Sequence, residues 1–312
     1  MKQLEATQKL ATETTSTELK TRLLELSLQM KRDGNADKSI TEYARTLKQL
    51  IKLGADLYNP ESVKDVIANQ KTWSNRSKRL VTVIYDKFAK FVGLEWTRPA
   101  YKFQPKKPYI PLEKDLDVLI AYCGKTVSTF LQVLKETGAR SGETLRLKWQ
   151  DIDFEQRKIY VNNAEKNSEC RIIKVSQKLT GMLQSMPHKP DQDRIFSSSD
   201  VCMRVNFSKQ RKRATNKMQN PNLPKIHLHT FRHWKATTEY HKTRNILHVM
   251  KLLGHRNIQN TLLYTQLIEN TEDDQFYFAT AKNEAEAHPL IEKSFEYVAT
   301  TPQGVMLFRK RK

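Results

Sequence analysis

The sequence predicts a mainly α-helical protein with a small antiparallel β-sheet, divided into two domains. Apolar residues recur at helical spacing along most of its 312 residues, a length that suits two domains. Three short runs rich in β-branched and aromatic residues, DIDF, KIYV and RIIKV, follow one another across polar turns and predict the sheet. A proline-rich stretch separates two helical regions and predicts the domain boundary.

The first helical region contains four predicted helices. Residues 1–34 hold a polar leader and a helix with a leucine-rich stripe. A second helix is expected to open at Ser39 and to end before Gly54, and a short third one covers 62–67. The fourth runs over 74–92 and stops at a glycine. Its predicted inner side carries Leu80, Val81, Ile84, Phe88 and Phe91.

The stretch TRPAYKFQPKKPYIPLEKD joins the two regions. It contains four prolines and five lysines or arginines. Proline at this density disfavours a helix and favours an extended, semi-rigid strap. The positive charge of the strap suits contact with a polyanion such as a phosphate backbone.

The second helical region begins with helices over 112–122 and 126–137. In the following ARSGETLRLKW, Ser141 is expected to cap a short helix. The three predicted strands come next, and helices resume over 176–185 and after Asp200.

The C-terminal region predicts one more helix and a hairpin. The helix is expected over about 284–293, where Pro289 is expected to begin a new helical segment. The strands SFEYVA and VMLFR are expected to pair as the hairpin, with their turn at Thr301–Gly304.

The composition indicates a polyanionic partner. Lysine and arginine number 54 against 34 aspartates and glutamates, so the formal net charge is +20 and the pI is near 9.7. Nucleic acid is the commonest partner of such a chain. A membrane surface is disfavoured, because no apolar run reaches the roughly 18 residues of a spanning helix and the N-terminus MKQLEATQKL lacks the features of a signal peptide. The three cysteines are far apart and predict reduced thiols in a cytoplasmic protein.

Neither a nucleotide-hydrolysing site nor a metal site is expected. The chain has nine glycines and no GxxxxGK[ST] phosphate loop. His227, His229 and His233 are the histidines of a conceivable metal site, but no carboxylate or thiolate nearby completes the ligand set. Arg232, within the same cluster, would repel a cation.

Residues 227–264 hold six of the eight histidines and a single acidic residue. His229 and Arg232 are three residues apart and would share one helix face. His255 follows a Leu-Gly helix stop, and Tyr264 comes nine residues later. An imidazole beside a guanidinium, with a second imidazole and a phenol, suits binding and attack at a phosphodiester. The alternative is a basic, solvated helical face with two core histidines.

Further signals in the chain join this segment to a known pattern. Arg140 lies in TGARSGETLRLKWQDI, and Lys166 lies in EKNSECRIIKV, at the tip of the predicted hairpin. Together with HTFR, LGH and Tyr264, these elements occur in the order and at the spacing of the tyrosine recombinases, also called the phage integrase family, and the chain resembles that family over about 112–268. Each element alone is weak; together they are specific.

The resemblance implies roles for the signature residues. Arg140 and Arg232 would bind the phosphodiester through paired, charge-assisted hydrogen bonds. Tyr264 would attack phosphorus, form a 3'-phosphotyrosine and release a 5'-hydroxyl, while His229 would accept the phenol proton.

The remaining signature residues would support that step. Lys166 would protonate the departing 5'-oxygen, and His255 would hydrogen-bond a non-bridging oxygen. Glu143, one helical turn from Arg140, resembles the acidic residue that orients the site. Because the covalent bond conserves the energy of the phosphodiester, strand rejoining would need neither ATP nor metal, so no cofactor is expected.

The resemblance also implies a division of the chain and an assembly. The N-terminal helical extension would be 1–35, the helical core-binding domain 36–96, the linker 97–111, the catalytic domain 112–268, and the C-terminal helix with its hairpin tail 269–312. The two domains would clamp double-stranded DNA in the nucleoid, and four protomers would exchange strands on two sites through a four-way junction. The tail resembles the C-termini of archaeal Xer- and integrase-like members.

Basic residues outside the signature are expected to contact DNA. They are Arg76, Lys78, Arg79, Lys106, Lys107, Lys209, Arg211, Lys212 and Arg213.

Alternatives remain for single residues and for the whole chain. Taken one at a time, Arg140 is also explained as a helix cap, Lys166 as a turn lysine and Tyr264 as a core tyrosine. Three other histidines are expected to be structural or exposed: His233, His241 and His248. For the whole chain, the alternatives are a type IB topoisomerase that relaxes supercoils and a non-catalytic DNA-binding regulator of the same fold.

Overall fold

The computed structural model describes residues 18–104, 106–165, 168–188, 193–267 and 276–311. The chain divides into two compact units, Met1–Lys106 and Lys107–Lys312, so the division falls inside the proline-rich stretch. Within the described ranges, no helix combines the length and the apolarity needed to cross a bilayer.

The first unit is helical. Its helices are α1 (18–32), α2 (Asp37–Lys52), α3 (Pro60–Asn69) and α4 (Asn75–Val92), which confirms the four that the sequence predicts. Their apolar faces form one core, in which Leu47, Ile67 and Phe88 are fully buried.

Two helix starts in this unit differ in their chemistry. The predicted start of α2 at Ser39 is wrong, because the helix begins at Asp37, after Ala36, without a side-chain cap. The Asp37 carboxylate in the first turn interacts favourably with the positive end of the helix dipole. The predicted bounds of α4 are confirmed: the Ser74 side chain accepts a hydrogen bond from the Ser77 amide, and Gly93 ends the helix at φ +75°.

The predicted inner face of α4 needs one correction. Leu80 is 51% exposed, whereas Ile84 and Phe88 are fully buried. The buried face is centred on Tyr85 instead, whose hydroxyl donates to the Leu57 carbonyl at 2.9 Å. Consecutive residues on a helix point about 100° apart, so a hydrophobic residue next to a buried one can face solvent, as Leu80 does.

The second unit begins with α5 (Glu113–Tyr122), α6 (Lys125–Thr137) and the short α7 (Ser141–Leu145). α6 lies at the centre of the core, with Phe130 and Leu134 fully buried. The helices that follow are α8 (Gln177–Gln184), α9 (Asp200–Met218), α10 (Leu228–Thr243), α11 (Ile246–Leu253) and α12 (Gln259–Leu262). A 3-10 helix, Leu263–Leu267, follows α12 directly, and α10 packs against α6, α11 and this 3-10 helix.

The predicted three-stranded sheet is confirmed. β1 (Ile152–Asp153), β2 (Lys158–Val161) and β3 (Arg171–Lys174) pair antiparallel in that order. Val161 lies opposite Arg171, and the segment that joins these two strands is called the β2–β3 loop.

The short helix α7 begins at Ser141, but Ser141 does not cap it. The position before the helix is Arg140, whose backbone amide donates to the Glu143 carboxylate at 2.9 Å. The cap is therefore a carboxylate that reaches back from the third helical residue.

The C-terminal region contains more strand than predicted. β5 (Glu296–Thr300) and β6 (Met306–Arg311) form the predicted hairpin, and β4 (Phe276–Ala281), which was not predicted, pairs with the other side of β6. The last helix, α13 (Glu284–Glu292), continues through Pro289, so the expected new helix at that proline is wrong.

Candidate active site

The signature residues come from separate segments of the second unit. Arg140 follows α6, which ends at Gly138 with φ +61°. Arg232 lies in α10, His255 follows the Gly254 that ends α11, and Tyr264 lies in the 3-10 helix. Lys166 lies outside the described residues.

Arg232 is only 2% exposed and links three of these segments. Its Nη1 donates to the Gly138 carbonyl at 2.7 Å, and its Nη2 donates to the Leu253 carbonyl at 2.8 Å. Burial, together with the charge of Arg140, lowers the pKa of Arg232 to about 9, so the guanidinium stays protonated at neutral pH. The result is a fixed positive charge at the centre of the site.

His255 is held by both of its ring nitrogens. Its Nε2 lies 2.8 Å from the Arg232 Nη2, and its Nδ1 lies 3.0 Å from the Thr261 hydroxyl. Since arginine can only donate, Nε2 is the acceptor and the proton sits on Nδ1. Burial, with the charge of Arg232, lowers the pKa of His255 to about 4, so the ring is neutral. To bind a non-bridging oxygen, His255 would have to release one of these two contacts.

Glu143 is almost fully buried between two arginines. Its Oε1 accepts from the Arg140 Nη1 at 2.8 Å, and its Oε2 accepts from the Arg171 Nη2 at 2.6 Å. Burial raises the pKa of Glu143, but the hydrogen bond and charge of Arg171 outweigh burial and bring it down to about 2. Arg171, 8% exposed, is a residue that the sequence interpretation missed. The available signal was an arginine at an inward position of the strand RIIK, which needs a buried anion as its partner.

Arg140 reaches from this cluster to the β2–β3 loop. Its Nη1 also donates to the Glu165 carbonyl and to the Ser168 hydroxyl, so it contacts both sides of Lys166 in the sequence. Among the described residues, the Nε and Nη2 atoms of Arg140 carry no hydrogen bond to protein. These two nitrogens form one edge of the guanidinium, the geometry that binds two oxygens of a phosphate.

The glycine of the LGH motif, Gly254, lies where a side chain would not fit. It adopts φ +67°, and a Cβ at this position would lie 2.7 Å from the Glu169 carbonyl oxygen. The Gly254 carbonyl accepts the Glu169 amide at 3.0 Å, which joins the turn before His255 to the β2–β3 loop. Only glycine combines this backbone conformation with so close an approach.

Tyr264 is 3% exposed and packs against Ala236, Val249 and Leu253. Its hydroxyl lies 3.1 Å from the Nδ1 of His233. Burial raises the pKa of Tyr264, whereas the charges of Arg232 and Arg140 lower it. The phenol is therefore protonated at rest and lies within the field of both arginines.

The partner of the phenol differs from the expected one. His229 has an exposed side chain, and its ring centroid lies 4.6 Å from that of His233 in an edge-on arrangement. His233, expected to be structural or exposed, is half-buried, and its Nδ1 lies 3.1 Å from the Tyr264 hydroxyl. His248 agrees with its expectation, since it is exposed and pairs with Glu239 at 3.4 Å.

The sequence profile described as the phage integrase family matches residues 112–271, which is more than half of the chain. The chain belongs to the phage integrase family. It is accordingly a tyrosine recombinase, an enzyme that transfers DNA strands.

The similarity of this recombinase to named relatives extends beyond residues 112–271. Tyrosine recombinase XerA of Saccharolobus solfataricus is 26% identical over 247 residues, which cover 78% of this chain and 82% of that protein. Tyrosine recombinase XerC of Shewanella oneidensis is 25% identical over 242 residues, which cover 70% of this chain and 78% of that protein.

Solved structures confirm the fold of the recombinase. The Tn1549 transposon integrase in complex with transposon right end DNA matches with a TM-score of 0.59 at 16% identity and covers 87% of this chain and 98% of that one. A lambda integrase dimer bound to a COC' core site matches with a TM-score of 0.61 at 15% identity and covers 78% of this chain and 94% of that one. The mainly helical fold with small antiparallel sheets, predicted from the sequence, is the fold of these enzymes.

The basic residues of the recombinase fall into two groups. Lys209, Lys212 and Arg213 have exposed side chains on α9. Arg211, on the same helix, is half-buried, lies 3.0 Å from His227 Nδ1 and donates to the Ile226 carbonyl. Arg211 was expected to contact DNA, but in this structure its Nη1 holds the segment that precedes α10.

The first unit carries a second basic surface. Arg76 and Arg79 lie 6.0 and 5.7 Å from the ring centroid of Phe103, and Lys78 lies 5.7 Å from that of Tyr101. A cleft of about 380 Å³ beside them is lined by Arg79, Arg98 and residues 99–103. Lys106 and Lys107 follow with exposed side chains.

Within the described residues, no group of three His, Cys, Asp or Glu side chains is placed to hold a metal ion.

Proposed function

We propose that this recombinase cuts and rejoins duplex DNA at specific sites through a 3'-phosphotyrosine formed by Tyr264. The observation that carries the proposal is that Arg232 and the buried Tyr264 meet the same end of α11: Arg232 donates to the Leu253 carbonyl, and Tyr264 packs in one cluster with Leu253. A group that binds the phosphate and a group that attacks it therefore share one electrostatic environment. The resemblance to the family supports the further proposals of a tetramer on DNA, a four-way junction and a cytoplasmic, nucleoid-bound enzyme.

The chemistry follows from the groups present. The phosphodiester would lie against the unoccupied edge of Arg140, with Arg232 behind it, and negative charge would grow on its non-bridging oxygens during attack. The bond from the Tyr264 oxygen to phosphorus would form as the bond to the 5'-oxygen breaks. The departing oxygen would take a proton, a role that the resemblance assigns to Lys166. Rejoining reverses these steps and consumes no ATP.

Trapping of the covalent intermediate tests this proposal. The DNA site is first recovered by sequencing DNA crosslinked to the protein in cells, and a duplex bearing it is nicked so that the cleaved fragment diffuses away. We expect wild-type protein to accumulate a covalent adduct in EDTA and without ATP. The absence of an adduct on a duplex that the protein binds would favour the non-catalytic regulator. Relaxation of supercoiled DNA that lacks the site would favour the topoisomerase.

The basic cluster around Phe103 predicts a salt dependence. Each phosphate contact changes the slope of log binding constant against log salt by about 0.9. Replacing Arg76 and Arg79 together by alanine should therefore reduce the slope by about 2. Arg45→Ala is the matched control, because Arg45 is an exposed helical arginine already paired with Glu42 at 2.7 Å. Fluorescence anisotropy of the duplex across a salt series measures the slope, and an equal change in both variants would contradict a specific role for the cluster.

A further inference from the structure

Thr261 is the one buried residue of the short helix α12, and it is polar. Its side chain is fully buried, whereas Gln259, Asn260 and Leu262 are exposed. The inward position of a helix is usually filled by an apolar side chain, since a buried hydroxyl is unfavourable unless it is hydrogen-bonded. The Thr261 hydroxyl lies 3.0 Å from the Nδ1 of His255. This hydrogen bond therefore takes the place of an apolar contact between α12 and the site.

The same hydrogen bond joins the imidazole to the segment that carries the nucleophile. His255 precedes α12, and the 3-10 helix that contains Tyr264 follows it directly. Tyr264 comes three residues after Thr261. The orientation of the His255 ring is thus set by a side chain from the helix that leads into the nucleophile.

We propose that Thr261 is a positioning residue that determines how His255 meets the phosphate. At rest its hydroxyl accepts a hydrogen bond from the His255 Nδ1–H. When the His255 Nε2 donates to a non-bridging oxygen, the same hydroxyl turns and donates to Nδ1. The inference rests on the proposed phosphotyrosine chemistry and on the phosphate contact that the resemblance to the family implies for His255.

The contacts of the ring decide which nitrogen faces the phosphate. Nε2 lies 2.8 Å from the Arg232 Nη2, and Arg232 is one of the two arginines expected to bind the phosphodiester. Nδ1 is directed instead to Thr261. Nε2 is an acceptor in this structure, because a guanidinium only donates. A phosphate oxygen also only accepts, so Nε2 must carry a proton before it can contact that oxygen.

The ring has to exchange one proton for another. Burial, with the charge of Arg232, lowers the pKa of His255 to about 4, which disfavours a ring protonated on both nitrogens. Nε2 therefore takes a proton from water while Nδ1 gives its proton to water, and the net charge does not change. The bare Nδ1 then needs a donor. A threonine hydroxyl is both donor and acceptor and serves both tautomers by rotating, whereas a carbonyl would serve only the first.

Thr261→Val tests the role in the reaction, because valine has nearly the same shape and lacks the hydroxyl. We expect single-turnover cleavage of the nicked duplex to slow about 10–100-fold at unchanged affinity for the duplex, the range found for partners that orient metal-ligating histidines. Thr261→Ser keeps the hydroxyl and should recover most of the rate. Thr237→Val is the matched control, since Thr237 is buried on α10 and its hydroxyl has no hydrogen-bond partner among the described residues. It should cleave at the wild-type rate.

The position of the proton tests the mechanism itself. ¹⁵N shifts of the His255 imidazole are recorded in Tyr264→Phe, which leaves the bound duplex uncut. We expect the proton on Nδ1 in the free protein and on Nε2 in the complex. A merely structural hydrogen bond would leave the tautomer unchanged. This measurement keeps Thr261 in place, so it decides even where Thr261→Val fails to fold.

The outcomes separate this inference from the proposed function. A wild-type protein that forms no adduct on a duplex that it binds would overturn both. With adduct formation in the wild type, an unchanged rate in Thr261→Val, or no recovery in Thr261→Ser, would overturn only the role of Thr261. The same holds for an imidazole that keeps one tautomer in both states or carries protons on both nitrogens in the complex.

Discussion

Tyr264→Phe is expected to bind the nicked duplex as the wild type does and to form no covalent adduct. The substitution removes only the attacking oxygen and leaves the ring in its cluster with Ala236, Val249 and Leu253. Losing the hydrogen bond to His233 should cost about 0.5–1.5 kcal/mol of stability, too little to unfold a chain of this size. The readout is the band of protein joined to labelled DNA on a denaturing gel.

Tyr240→Phe is the control for this experiment. Tyr240 packs against the same cluster and is partly buried, so this variant also removes a tyrosine hydroxyl from a ring that contacts the cluster. It should form the adduct at the wild-type level. An adduct in Tyr264→Phe would show that another residue is the nucleophile, and a loss in both variants would point to damage of the cluster rather than to lost chemistry.

Glu143→Ala is expected to destabilise the protein by about 3–5 kcal/mol. The substitution leaves the Arg171 guanidinium, whose side chain is 5% exposed, as a buried charge without its partner. It also removes the acceptor of the Arg140 and Glu165 amides. Urea unfolding followed by circular dichroism measures the change.

Two variants make the result specific. Glu61→Ala breaks an exposed pair with Lys64 and should cost less than about 1 kcal/mol. In Glu143→Leu/Arg171→Met both charges are absent, so part of the lost stability should return. A double variant no more stable than Glu143→Ala would contradict the uncompensated charge as the cause.

The same carboxylate predicts a pH dependence with a definite sign. The pKa of Glu143 falls from 4.5 to about 2 in the folded protein, so the unfolded state binds the proton more readily. The stabilisation of about 3 kcal/mol is present above pH ~4.5 and is lost as the pH falls towards 2. Unfolding of the wild type and of Glu143→Ala should therefore converge in acid.

Much of the secondary structure follows from local chemistry. Ser74 and Gly93 bound α4 as predicted, because capping and the left-handed helix stop depend on residues next to each other in the chain. The alternating apolar residues of KIYV and RIIK likewise produce the predicted sheet. Strand β4 was missed because its pairing partner, β6, lies about 30 residues later, and pairing between distant segments has no local signal.

The residue types of the candidate site were likewise recognisable from the sequence, whereas their contacts were not. The resemblance to the family could be recognised from the types, order and spacing of six signature residues in the sequence: Arg140, Lys166, His229, Arg232, His255 and Tyr264. Their contacts were not predictable. Glu143 pairs with Arg171 across 28 residues of chain, and His233 lies against Tyr264 across 31.

The sequence by itself therefore determined the fold class, the family and the residue types of the site, because helix periodicity, capping and motif spacing are local properties. Only the tertiary structure decided which imidazole meets the Tyr264 phenol and which arginine neutralises the buried Glu143. Both depend on how α10, the 3-10 helix and β3 pack. His229 and His233 lie one turn apart on α10, and packing buries His233 against the phenol while His229 keeps its exposed side chain.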